Sequence, residues 1–284
     1  MNALVEETDI SKFYHHPTWP HRWFHPEFTD EAIRTWQKEL CNSGDRCLGC
    51  RFLRNLGTSG SPWGYIIYRT VYTPESEELW PIAMEKLTRL TFCEFEAEFK
   101  NHHVNARNSR PERLVKEAHK NVIISDPDYW NGAGIETIRA HFAEYLRAAG
   151  EYKSIGTSRF GGCLVIDERS LKSIIATTDP FNERGERQWG NVGFVGMVDG
   201  RYEQGIKYDI PSYKGFMRVR VRNLWWMYIN FDFKSMDDLC HDVPDGLIPV
   251  YDGGDGQAHD EEGNDCRAEL ANFRERHRAG RRLV

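Results

Sequence analysis

The sequence predicts an α+β fold, a single mostly antiparallel sheet backed by helices in a ferredoxin-like arrangement. Three observations predict it. Periodicity and punctuation give elements in the order β, α, α, β, α, β, β, α along the 284 residues. The even alternation and Gly-rich first turn of a doubly wound parallel sheet are missing. A chain with 40% apolar and 28% charged residues, and no apolar run of about twenty residues, suits one large soluble core without a membrane span.

Residues 1–62 read as an aromatic and His-rich arm, a short helix and a loop. Pro17, Pro20 and Pro26 forbid regular helix in the first 28 residues, so Phe13, Tyr14, Trp19, Trp23 and Phe24 are expected on an extended arm wrapped against the body. Thr29 is placed to cap a short helix, with Asp30 and Glu31 in its first turn and Ile33, Trp36 and Leu40 on one face. The Gly, Ser and Asn of residues 41–62 read as loop.

Residues 63–250 form the predicted core domain. Trp63 to Tyr72 is rich in aromatic and β-branched residues and reads as a strand. Thr73-Pro74-Glu75 starts a helix that Pro81 should kink or split before Phe99. Ile135, Ile138, Phe142, Tyr145 and Leu146 make the apolar stripe of a helix that Gly150 stops. Gly162 to Ile166 reads as a buried strand, after which Asp167 caps a helix carrying Leu171, Ile174 and Ile175. Val192 to Val198 is a further strand ended by the turn pair Asp199-Gly200. In Phe216 to Arg222, Met217, Val219 and Val221 alternate with Arg218, Arg220 and Arg222, and a helix follows from Leu224 to Phe231. Residues 251–284 read as a mobile Gly- and Asp-rich loop followed by a basic helix or tail with Arg267, Arg274, Arg276, Arg278, Arg281 and Arg282.

A net charge of −6 means that any attraction to nucleic acid must come from local patches. The acidic opening lacks the basic flank and apolar run of a signal peptide, and seven cysteines fit a reducing compartment, so the chain is expected to be cytoplasmic. The phosphate loop, the dinucleotide fingerprint, the nucleophile elbow and the zinc-protease motif are all absent. Cys47-x-x-Cys50, with Cys41 nearby, has partial zinc-ligand spacing but no second pair, and reads as free loop thiols. Asp252, Asp255 and Asp260 do not have the spacing of a calcium loop. No metal and no cofactor are expected.

Alternation across a sheet puts Tyr68, Thr70 and Tyr72 on one face of their strand, Cys163, Val165 and Asp167 on one face of the next, and Arg218, Arg220 and Arg222 on one face of the last. If these faces coincide, they form a polar, ring-lined surface opposite the helices. Tyr68, Asp167 and Cys163 are then the candidate catalytic groups. Glu168, Thr70, Tyr72 and Trp225 are candidate substrate contacts, and the three arginines candidate phosphate contacts. The plainer alternatives stand beside these: a solvent face for the arginines, a helix cap for Asp167 and an inert core thiol for Cys163.

Trp63-Gly-Tyr-Ile-Ile-Tyr-Arg-Thr-Val-Tyr-Thr-Pro-Glu-Ser76, Val165-Ile-Asp-Glu-Arg-Ser-Leu171 and Gly215-Phe-Met-Arg-Val-Arg-Val221 with Leu224-Trp-Trp-Met-Tyr228 together resemble a broad group of filamentous-fungal proteins. Within that group the chain is similar to the arginine-containing cyclodipeptide synthases, which join two aminoacyl groups from tRNA into a diketopiperazine. No family site motif matches positions here, so the resemblance assigns no residue. It implies an aminoacyl-tRNA partner and an amino-acid substrate, and an already activated ester would explain the missing ATP site. Asp167 or Glu168 would receive an arginine side chain, and the Arg218 face with the terminal arginines would meet the tRNA. The competing expectations are a tRNA-independent cyclase, isomerase or binding protein for a small molecule, and a Trp-rich interaction module.

Overall fold

The computed structural model describes residues 5–7, 29–41, 48–59, 62–102, 110–148, 160–180, 192–253 and 256–281. The predicted arm lies outside them except for Val5–Glu7, which forms strand β1. Helix α1 (Asp30–Leu40) starts where the sequence puts it, with the Thr29 hydroxyl accepting from Ala32 N at 3.1 Å. The predicted loop that follows contains a helix, α2 (Leu48–Ser59).

Strand β2 (Ile66–Arg69) is the centre of the predicted first strand, and Trp63 adds an isolated bridge to His119. Helix α3 (Pro74–His102) is one element with Pro81 inside it, where a kink or a split was predicted. Helix α4 (Arg110–Glu117), strand β3 (Val122–Ile124) and the short helix α5 (Pro127–Trp130) come next, and then α6 (Ile135–Ala148) on its predicted stripe. Strand β4 (Cys163–Ile166) leads into α7 (Glu168–Ala176) through the Asp167 cap. Strands β5 (Phe194–Val198) and β6 (Phe216–Arg220) follow, and a 3₁₀ turn (Val221–Asn223) leads into α8 (Leu224–Asn230). After α9 (Met236–Leu239), the region expected to be mobile contains the end of β7 (Ile248–Tyr251) and all of β8 (Gln257–His259), before the basic helix α10 (Arg267–Arg281).

The α+β architecture with helices backing one sheet is present. Among the described residues the sheet has eight strands in the order β1-β3-β2-β4-β5-β6-β7-β8, which is not the ferredoxin-like order. Antiparallel pairings join β4 to β5, β5 to β6 and β7 to β8, while the remaining pairings are parallel. Only β5 and β8 therefore run against the other six. Strand β3 lies on one side of β2 and β4 on the other, so right-handed crossovers put the two connections on opposite faces.

Packing agrees with that handedness. On one face Ile67, Leu164, Ile166, Val195, Met197, Met217 and Val219 bury against residues of α3, α7 and α8. On the other face Ile66, Tyr68, Val122, Ile124, Cys163, Val165 and Val198 bury against Ile138, Phe142, Tyr145 and Leu146 of α6. The surplus of aromatic rings goes largely into this core. Trp63 meets Phe52 edge-on at 5.3 Å and Tyr228 at 5.5 Å, and Trp225 meets Phe95 at 5.6 Å. Such pairs add about 0.5–1.5 kcal/mol each beyond the area they bury.

Candidate functional site

The predicted polar surface opposite the helices does not exist as one surface, because α6 covers its β2–β4 half. Tyr68 is buried beneath that helix, its hydroxyl 2.8 Å from His141 Nδ1 and its ring edge-on to Trp130 at 5.1 Å. Cys163 is wholly buried in the same cluster, and burial pushes its thiol well above the ordinary range. A thiol held protonated in a packed core is not an acyl acceptor. Thr70 is buried with its hydroxyl on Ile166 O at 3.4 Å, and the Tyr72 hydroxyl donates to Arg69 O at 3.0 Å and accepts from Asp126 N at 2.9 Å. Trp225 is a core ring.

Asp167 Oδ1 accepts from Ser170 N at 2.7 Å as the cap of α7. Glu168 is exposed and bonded to Lys172 at 2.6 Å, which lowers its carboxyl pKa. Of Tyr68, Asp167 and Arg220, which would share one surface if the three strand faces coincided, only Arg220 lines the cleft described below. Cys41 is half-buried and Cys50 buried, whereas Cys47 lies outside the described residues. Among the described residues no group of three His, Cys, Asp or Glu side chains is placed to hold a metal ion.

The arginine alternation does build something. Met217 and Val219 turn into the core, so Arg218 and Arg220 share the opposite face of β6. They do not form an open strip. Arg218 and Arg222 each keep only 4% exposure. Arg222, carried by the 3₁₀ turn, donates from Nη2 to Thr178 O at 2.8 Å.

Arg220 is held by three partners. Its Nη1 donates to Val192 O, and its Nη2 donates to Gln257 Oε1 and, at 3.3 Å, to His259 Nε2. A guanidinium has no acceptor, so Nε2 must be the accepting nitrogen and the ring proton sits on Nδ1. Nδ1 is 2.9 Å from Gly263 O, where it donates. Burial and then the Arg220 charge lower the His259 pKa, so the ring is neutral around neutral pH.

These groups line a cleft of about 760 Å³ bounded by Val192, Phe194, Arg220, Arg222, Asn223, Asp252, Gln257, His259, Gly263, Asp265 and Arg267, with Glu94 and Ser173 at its helical side. That volume falls within the range of small-molecule sites. The position follows from the topology. Strands β6 and β7 end here, on the edge of the sheet where six strands have their carboxyl ends, and the amino ends of the two reversed strands β5 and β8 complete the wall. Ligands of open sheets with crossover helices gather outside that edge.

Sequence reasoning reached Arg220 and Arg222 through alternation, but it missed His259, Gln257, Asp252 and Asp265, which lie in the segment read as mobile loop. Comparison of the chain with protein-family models, with curated proteins and with solved structures finds no match.

Proposed function

We propose that this chain binds and transforms a small anionic metabolite in the carboxyl-edge cleft, independently of tRNA. The observation that carries this reading is the arginine-walled cleft itself, in which Arg220 and Arg222 are fixed by neighbouring carbonyls and a neutral His259 stands beside Arg220. Each part has a role in that reading. Arg220, Arg222 and Arg267 supply charge-assisted donors to a phosphate or carboxylate, and the bonds already made by Arg220 hold its fork in place. His259 keeps a basic nitrogen and serves as a proton acceptor once a ligand competes for Arg220. Asp252 and Asp265 balance the cations and offer acceptors to ligand hydroxyl or amino groups.

The cyclodipeptide-synthase reading rests on the resemblance, with the missing ATP motif and the basic residues in support. It asks for arginines exposed to a polyanion; two of the three on the strand face are almost wholly buried, which leaves that contact to the exposed arginines of α10.

Calorimetric titration of the full chain with methylphosphonate tests the proposal. Wild type should bind, and Arg220→Gln should weaken binding roughly tenfold or more while the fold persists by circular dichroism. Absence of anion binding would sink the reading. A cyclic dipeptide formed from arginyl-tRNA and free amino acids would replace it with the synthase.

A further inference from the structure

Arg218 stands two residues before Arg220 on the same face of β6, yet its surroundings treat it differently. Its guanidinium lies over the Phe194 ring, 4.2 Å from the centroid, and its fully buried Nη1 has no hydrogen-bond partner. Two carboxylates act on it through space, Asp167 and Asp260, and both are committed elsewhere. Asp167 caps α7, and Asp260 accepts from both the backbone and the side-chain amide of Asn264 at 2.7 Å. Among the described residues no ion pair to Arg218 closes within 4.0 Å.

A guanidinium cannot shed its proton to escape burial, so an unpaired one is costly and calls for a compensating anion. Its position says where that anion would come from. Phe194 and Gly263 both line the cleft, and a methyl group added at Gly263 would sit 3.2 Å from Arg218 Nη1 and 3.3 Å from Phe194 Cζ. Gly263, at φ +88°, closes the Asp260–Gly263 turn with its amide donating to Asp260 O at 3.0 Å. Arg218 does not itself line the cleft, but Gly263 and Phe194, which do, are its immediate neighbours. A side chain in place of Gly263 would be strained and would fill the space.

The geometry points to a second anion subsite at Arg218 Nη1 and the Phe194 face, so that the cleft takes a ligand with two acidic groups. One group sits on Arg220 and Arg222 and the other on Arg218, about 7 Å along the strand. The ligand class is a small bisphosphate, or a phosphate ester that also carries a carboxylate. This inference rests on the reading of the cleft as an anion site, and its test separates the two.

Calorimetry compares methylphosphonate, which satisfies one subsite, with a three-carbon bisphosphonate, which spans both. Wild type should bind the bisphosphonate roughly tenfold or more tightly than methylphosphonate, since the second contact is made without a second loss of translational freedom. Arg218→Met keeps a flexible chain on Phe194 and should bring that ratio close to one, with methylphosphonate affinity unchanged. A wild-type ratio near one, or a ratio untouched by Arg218→Met, overturns the second subsite and leaves the anion cleft standing. Binding of neither probe overturns both. Should Arg218→Met fail to fold, Arg218→Lys, which keeps the charge but loses the fork, is expected to lower the same ratio, and an unchanged ratio there overturns the subsite equally.

Discussion

Tyr213 donates its hydroxyl proton to Asp199 Oδ2 at 2.7 Å, and the backbone amide of Arg201 donates to Asp199 Oδ1, also at 2.7 Å. Both side chains are buried, Asp199 with 6% exposure. Burial pushes the carboxyl above its usual range, and burial together with the neighbouring carboxylate pushes the phenol higher still. The Asp199-Gly200 turn was visible in the sequence. Its partner was not, because the contact closes across a loop and nothing local marks Tyr213 as the donor. Tyr213→Phe removes only the hydroxyl and leaves a buried carboxylate oxygen unsatisfied. It should cost about 1–3 kcal/mol by urea denaturation. A change within error would mean that the carboxylate finds water instead, and that the pair contributes nothing net.

Among the elements, local signals were legible wherever they agreed with the tertiary contacts. Asp167 and Thr29 cap α7 and α1 as the residue types predict, and for Asp167 the cap is the role its geometry supports. Asp167→Ala should lower stability by about 1 kcal/mol, and Asp167→Ser should recover most of that in the same denaturation experiment. A Ser variant as weak as Ala would assign the loss to the charge rather than to the cap. Two of the elements missed have sequences that argue against them. Helix α2 contains Gly49, which reads as a loop residue, but a Cβ there would lie 2.3 Å from the Phe99 ring, so the glycine is what lets α2 approach α3. Strand β7 contains Pro249, which demotes a central strand, although the strand pairs on both sides with β6 and β8. Strand β3 is three residues long and takes its place from parallel pairing with β1 and β2, which no short window records.

At the scale of the whole molecule, the helix-backed sheet was legible and the strand order was not, because alternation fixes faces while crossover geometry fixes neighbours. The same limit hid the candidate site: Arg220 could be placed on a face of β6, but His259, which accepts from it, arrives from β8. That distant contact has a titration consequence. Burial first, and then Arg220, keep the His259 pKa below its ordinary 6.5, and burial does the same for His141 against the opposing pull of Glu144. A histidine harder to protonate when folded than when unfolded makes the unfolded chain the greater proton binder below pH 6.5. Stability from these two groups is therefore complete above that pH and is lost as pH falls through their folded values, at no more than about 1.4 kcal/mol per pH unit for each proton. Asp199 has the opposite sign. Its raised pKa makes the folded chain the first to take the proton, so acidification relieves the cost of burying that charge. Denaturation measured from about pH 8 to about pH 5 should show wild type losing stability, with the slope reduced in His259→Gln and reduced further when His141→Gln is added. If the slope is the same in all three proteins, the acid response belongs to other groups and the neutral His259 beside Arg220 is wrongly drawn.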